Sequence, residues 1–500
     1  MIQNIRNFFI AHKIEISIFF IAVVFSFASF YFNTVKFQND DQFTIYRYIE
    51  NIAGGKGFVF NEGERVLGST TPLFTLLGVL LKLLFPFVST QLLIALLNTV
   101  LISLSAVMFF RLSTVVSLPR WFSLVGVGIF ILHMSKTASA GMESPLYILC
   151  VLLFLIYIFS GKYALSAVFL GGAVLTRPDA LLIVVLAGIL WLRTSGIKKT
   201  VSYSAVLSAV VFPWIIFATV YFGSPLPQSM VTKSHVADIV YQPRTQAFKV
   251  QLSEMSRLYW GKIIDPENIP IQVGLNLLPF LFFTGVGFWY FRKKYWLLFG
   301  IPCMYLISFS YSNPVMYPWY ISQLTPLWLL CSLLGVYKIF EYILSRANMN
   351  YKPWVYVGGV VILLAGPLFG YAELVMPRGE GSKITLYKMA LYVKEHKQSG
   401  DVVGLSNIGI VSYTLLDTYI YDFIGLTRKD TLQYYPIKDE CLVKNQYVIP
   451  PQMIRDVQPD WIIAGEAEWV PCFVQGEWFL SRYKAVYNAG TTAHVWQKIK

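Results

Sequence analysis

The sequence predicts a polytopic α-helical membrane protein with a small α/β domain outside the bilayer at its C-terminal end. Of its 500 residues 56% are hydrophobic and only 13% charged, about half the charged share of ordinary soluble domains. About eleven apolar stretches punctuate the first three-quarters of the chain, with lengths suited to tilted or paired spans. The remainder changes character: from Pro377 onward there are 14 Lys and Arg against 13 Asp and Glu, leaving 26 of the 40 basic and 14 of the 27 acidic residues to the apolar part. That basic excess is what loops on the cytoplasmic side carry, with some affinity for lipid phosphates.

In chain order the apolar stretches lie near 14–32, 90–110, 120–134, 144–160, 163–176, 179–193, 200–222, 271–291, 295–310, 318–340 and 354–375. The first has no small-residue cleavage site and reads as an anchor. Lys and Arg orient the rest. Arg6, Lys13, Arg111, Arg120, Lys162, Arg193, the "RKK" at 292–294 and the 338–352 loop mark the cytoplasmic side. The N-terminus then lies inside and the C-terminus outside. This closes only if "PLFTLLGVLLKLLFPF" (72–87) is a re-entrant or interfacial helix. The expected layout is a membrane domain over 1–376, with outer loops at 33–89 and 223–270, and an extracytoplasmic α/β domain over 377–500. In that domain an amphipathic helix, a Gly turn, a short strand and a second helix precede the strand-like "TYIYDFIGL", "DWIIAGE" and "AHVWQKI".

Chemistry-bearing residues gather at the outer ends of spans. Asp40 and Asp41 follow the first span. Either suits the N-cap of a helix whose Phe43, Tyr46, Tyr48 and Ile49 would lie in the headgroup layer. Adjacent carboxylates also repel unless a cation offsets them, an arrangement that suits general-base work. Glu143 ends a span, as interfacial acids often do. Arg177 and Asp179 in "LTRPDALL" can form an ion pair, or Arg177 can grip a phosphate with its fork. Arg47, Arg65, Lys233 and His235 sit in the outer loops, and the "YPWYISQLTP" aromatics read as an interfacial belt or a sugar-stacking platform. Cys441 and Cys472 form a candidate disulfide in the polar region. No basic run is long enough for nucleic acid. "GGKGFVFNEGE" lacks the strand and Lys-Ser/Thr of a phosphate loop, and scattered His and Cys give no zinc site.

"NDDQFTIYRYIENIAGGKGFVFNEGERVLGSTTPLF" resembles the first extracytoplasmic loop of GT-C glycosyltransferases, nearest the arabinofuranosyltransferase-like branch. "SAGMESPLY", "LTRPDALL", "YFGSPLPQSMVTK" and "IGLTRKD" continue the resemblance in order over most of the chain. Leu67, Gly68 and the Ser69-Thr70-Thr71 run depart from the family pattern. The resemblance implies a GT-C fold in the plasma (inner) membrane and an inverting transfer from a polyprenyl-phosphate sugar. The acceptor would be a cell-envelope glycan, lipid-linked glycan or protein. It implies Asp40 as base with Asp41 assisting, and donor-phosphate binding by Arg177 and Lys233. Glu143, Arg47 and Asp179 would form the rim, with a divalent cation as an optional helper. The rival expectations are a mannosyl donor on the same fold and, from another class, a lipid or sugar transporter or flippase. The transporter predicts polar residues at mid-span and internal repeats, neither of which is evident.

Overall fold

A computed structural model describes residues 11–33, 40–236, 245–260, 269–312, 314, 319–346, 352–375, 382–435, 437, 449–465, 471–488 and 493–499. Among the described residues the α-helices longer than four residues, in chain order, are α1 (Lys13–Asn33), α2 (Asp41–Ala53), α3 (Pro72–Leu84), α4 (Thr90–Val115), α5 (Arg120–Ser139), α6 (Ser144–Phe159), α7 (Tyr163–Thr176) and α8 (Leu181–Phe222). Then come α9 (Gln228–Val236), α10 (Gln246–Trp260), α11 (Ile269–Ser312), α12 (Thr325–Arg346), α13 (Lys352–Val375), α14 (Ser382–His396), α15 (Ile408–Thr414) and α16 (Pro451–Val457). Among the described residues the apolar stretches read from the sequence fall mainly on helices, that at 318–340 being interrupted by a turn at 323–324. By length and composition alone, four described segments can cross a bilayer: Lys13–Phe32, Thr90–Val115, Pro178–Phe222 and Thr325–Arg346. The two longest helices are each broken once. Gly196 (φ 74) divides α8 and Tyr295 (φ −122) divides α11, at the places where the sequence separates two spans.

The chain forms two compact units, one of residues 1–33, 95–212 and 244–377, the other of 34–94, 213–243 and 378–500. The first is helical. Many of its outward side chains are large and apolar, among them Phe20 at 62%, Val24 at 64% and Val361 at 60% exposure, as lipid contact requires. The buried hydroxyls of Ser103, Ser105 and Ser113 donate to carbonyls one turn earlier on their own helix, so each is satisfied without water. A methyl group on Gly335 of α12 would fall 1.8 Å from the Phe283 carbonyl of α11. Only a bare Cα lets these two backbones approach so closely.

The second unit is built on a five-stranded sheet of β1 (Val402–Leu405), β2 (Tyr419–Asp422), β3 (Trp461–Gly465), β4 (Tyr483–Asn488) and β5 (Ala493–Lys498), ordered β2-β1-β3-β5-β4. β1 is parallel to β2 and β3; β5 runs antiparallel to β3 and β4. The α/β segment does not close its core with its own residues. Tyr48, Phe58, Phe60 and Leu67 from the first loop share one buried cluster with Met389, Val403, Leu405, Val411 and Ile463. The motif "FVFN" therefore belongs to this core. Asn61 accepts from the Ile420 N–H and donates to the Ile420 carbonyl, pairing with edge strand β2 much as a neighbouring strand would. The aromatic residues of α2 likewise lie inside protein and not in a headgroup layer. Phe43, Tyr46, Tyr48 and Ile49 are at most 1% exposed. Phe43 and Tyr46 pack on Tyr413 of α15, and Ile49 lies against Gly78 of α3.

Candidate functional site

The sequence-predicted residues fall into two groups, one in each unit. In the sheet-bearing unit, the Asp40 carboxylate does not cap its own helix. One oxygen accepts the Gly409 N–H and the other the Ile410 N–H, each at 2.8 Å. It thus satisfies two of the four N–H groups that α15 leaves open at its start. Gly409 is required there, because a methyl group would fall 1.8 Å from the Asp40 carbonyl. Asp41, the first residue of α2, is exposed.

Arg47, expected at the rim, is instead an internal clamp, 2% exposed. Its guanidinium donates to the carbonyls of Phe60, Ser412, Leu415 and Thr418 and to Asn61 Oδ1, at 2.6–3.3 Å. Burial pulls its pKa down to about 10, with Tyr48 and Asp417 opposing, so the group stays charged at neutral pH. Every donor nitrogen faces the protein, and no fork remains for a ligand.

Two further clusters escaped the sequence reading. Asp422, fully buried at the end of β2, accepts the N–H groups of Ile424, Gly425 and Thr427 and the Thr427 hydroxyl. Burial pushes its pKa up, against these bonds. An Asp ending a strand before a Gly-containing loop was the available signal. Arg428 joins Glu64, Asp430 and Tyr419 while stacking on Tyr421 at 4.3 Å. Its partner Glu64 lies in the first loop, which nothing local indicates.

In the helical unit, Pro178 stops α7 and folds residues 178–180 into a single 3-10 turn. That turn brings Arg177 back on Asp179, with Nη2 to Oδ2 at 3.1 Å. Across from it Glu143, just before α6, takes the Nη1 of Arg177 at 2.5 Å. Gln323 donates to Asp179 at 3.1 Å, and the Tyr320 ring lies 5.3 Å from the guanidinium carbon. Three of the expected residues, Glu143, Arg177 and Asp179, are thereby brought together. They form an ion-pair group, however, and not an open phosphate grip. One cation faces two carboxylates, and Glu143 Oε2 is buried with no hydrogen-bond partner among the described residues.

Lys233 is on α9, and its side chain lies outside the described residues, as does the Cys441–Cys472 pairing. Among the described residues no three His, Cys, Asp or Glu side chains are grouped to hold a metal ion.

A family profile described as a domain of unknown function (DUF8728) matches residues 376–498. No curated protein matches the chain. Among solved structures, the archaeal oligosaccharyltransferase AglB from Archaeoglobus fulgidus, in complex with an inhibitory peptide and a dolichol-phosphate, is similar at 11% identity and TM-score 0.57. That match covers 97% of this chain and 74% of AglB. ArnT from Cupriavidus metallidurans bound to undecaprenyl phosphate is similar at 12% identity and TM-score 0.57, over 98% of both chains. ArnT in the apo state gives 12% and 0.56, again over 98% of both. At these identities the likeness is one of fold: over 97–98% of its length this chain shares the architecture of AglB and ArnT.

Proposed function

We propose that this protein is an inverting glycosyltransferase that takes its sugar from a polyprenyl-phosphate donor on the outer face of the plasma membrane. The observation that carries the reading is the match over 98% of both chains to a protein bound to undecaprenyl phosphate, in a chain whose first loop begins with an acidic pair. The donor tail stays in the bilayer, so the reaction belongs at headgroup depth, where a residue just past the first span lies.

In this reading Asp40, held in a fixed direction by two N–H groups, is the general base. It takes the acceptor hydroxyl proton while that oxygen attacks the anomeric carbon. The sugar–phosphate bond breaks on the opposite face, and polyprenyl phosphate leaves with the bonding pair. Asp41 assists or orients its helix. The ion pairs with Glu143 and Asp179 compete with any phosphate for Arg177. Lys233 is therefore the better donor-phosphate candidate of the two cations. The unpartnered oxygen of Glu143 suits a sugar or acceptor hydroxyl.

Arabinofuranose is the proposed sugar, resting on the first-loop resemblance, and a cell-envelope glycan or protein is the proposed acceptor. Presenting purified protein with polyprenyl-phosphate arabinofuranose and polyprenyl-phosphate mannose in parallel tests this. Release of polyprenyl phosphate from the arabinosyl donor alone supports the branch. Release from the mannosyl donor alone keeps the fold-level reading and replaces the sugar.

A further inference from the structure

Within the helical unit, α5, α11, α12 and α13 enclose a cavity of about 350 Å³. That volume is within the roughly 300–1,000 Å³ of small-molecule sites. Trp121 and Phe122 of α5, Phe283 of α11, Phe340 and Ile343 of α12 and Leu363 of α13 line it, and no charged side chain does. Its rim is open: Trp121 is 37% and Ile343 46% exposed. Such a space is a poor host for water, and hydrocarbon fills it without desolvating anything polar.

The rim also carries charge. Arg120 directly precedes Trp121 at the start of α5. Arg346 follows Ile343 by three residues, one turn along the same helix face. Both are exposed. The one carboxylate of α12, Glu341, lies more than a turn before Arg346 and is already paired with Lys338 at 2.7 Å. The Lys and Arg distribution assigns this end to the cytoplasmic leaflet, where anionic lipid concentrates and basic pockets between helices capture headgroups.

We propose that this crevice is a binding site for an anionic phospholipid, one acyl chain in the cavity and the headgroup phosphate on Arg120 and Arg346. Guanidinium forks suit phosphate oxygens, and the apolar lining suits the chain. The site is independent of the sugar-transfer reading, since it uses none of the same residues.

The full-length protein in nanodiscs, with a minor fraction of lipid brominated on its acyl chains, provides the test. Trp121 is the reporter, isolated as the difference between the native protein and Trp121→Phe. Brominated phosphatidylglycerol is expected to quench Trp121 several-fold more than brominated phosphatidylcholine at equal fraction. Arg120→Gln with Arg346→Gln, both surface changes, should remove that preference. Val360→Phe should occlude the cavity and abolish it too. Equal quenching by the two lipids, no quenching, or a preference that survives either the double Arg change or Val360→Phe would overturn the proposal.

Discussion

Arg47 shows what a single side chain does here: one guanidinium ties together α2, the first loop and the end of α15. Arg47→Ala would strand several buried carbonyls, each worth about 1–3 kcal/mol when left unpaired. A loss of at least about 3 kcal/mol in the stability of the sheet-bearing unit is expected, read as a lowered thermal midpoint; an unchanged midpoint would refute the clamp. Arg177→Ala should cost about 3–5 kcal/mol, because it leaves the buried Glu143 carboxylate and the partly buried Asp179 carboxylate without their cation. Adding Glu143→Gln and Asp179→Asn should recover much of that stability; if it does not, the ion-pair account fails. The residue types were legible in the sequence, their partners less so. Asp40 reads locally as the cap of its own helix, yet its two donors lie some 370 positions away. The pairing within "RPD" was legible because a Pro-initiated turn brings residues two apart together. Gln323, reaching Asp179 from the end of an aromatic run, carried only the weak signal of a polar residue among apolar ones.

The helices were the most legible elements, since long apolar runs leave little alternative to helix in a bilayer. The short helix α3 required a further argument from charge alternation. At 13 residues it is nearly as long as the 14-residue α7, so charge and contacts, and not length, separate the two. Lys82 near its end pairs with Glu50 of α2 at 3.4 Å, and Thr90 at the start of α4 donates to the same carboxylate at 2.6 Å. The C-terminal end of α3 and the start of α4 are thereby held near α2. A cysteine placed at Val88 or Ser89 is expected to react with an impermeant thiol reagent from the outer side of sealed cells. Reaction only after the cytoplasmic side is opened would mean that α3 crosses.

For the whole molecule, the periodicity that predicts strands and helices after Pro377 gives no hint that their core needs Tyr48, Phe58 and Phe60 from the first loop. Residues 378–500 expressed alone are therefore expected to lack a cooperative thermal transition, and covalent linkage to residues 34–94 should restore one. A cooperative melt of the isolated segment would contradict this. Asp40, the proposed base, is also tied to α15 by two hydrogen bonds, so any change at Asp40 must be separated from an effect on folding. The most direct measurement is single-turnover release of polyprenyl phosphate from a polyprenyl-phosphate sugar, compared between the native protein and Asp40→Asn, with thermal midpoints recorded on the same samples. The account predicts release by the native protein and a loss on the order of 10²–10⁴ in rate for the variant, beyond what any lowered midpoint explains. Native-like release per folded molecule in Asp40→Asn would leave Asp40 only its capping bonds, and no release by the native protein from any such donor would contradict the glycosyltransferase reading itself.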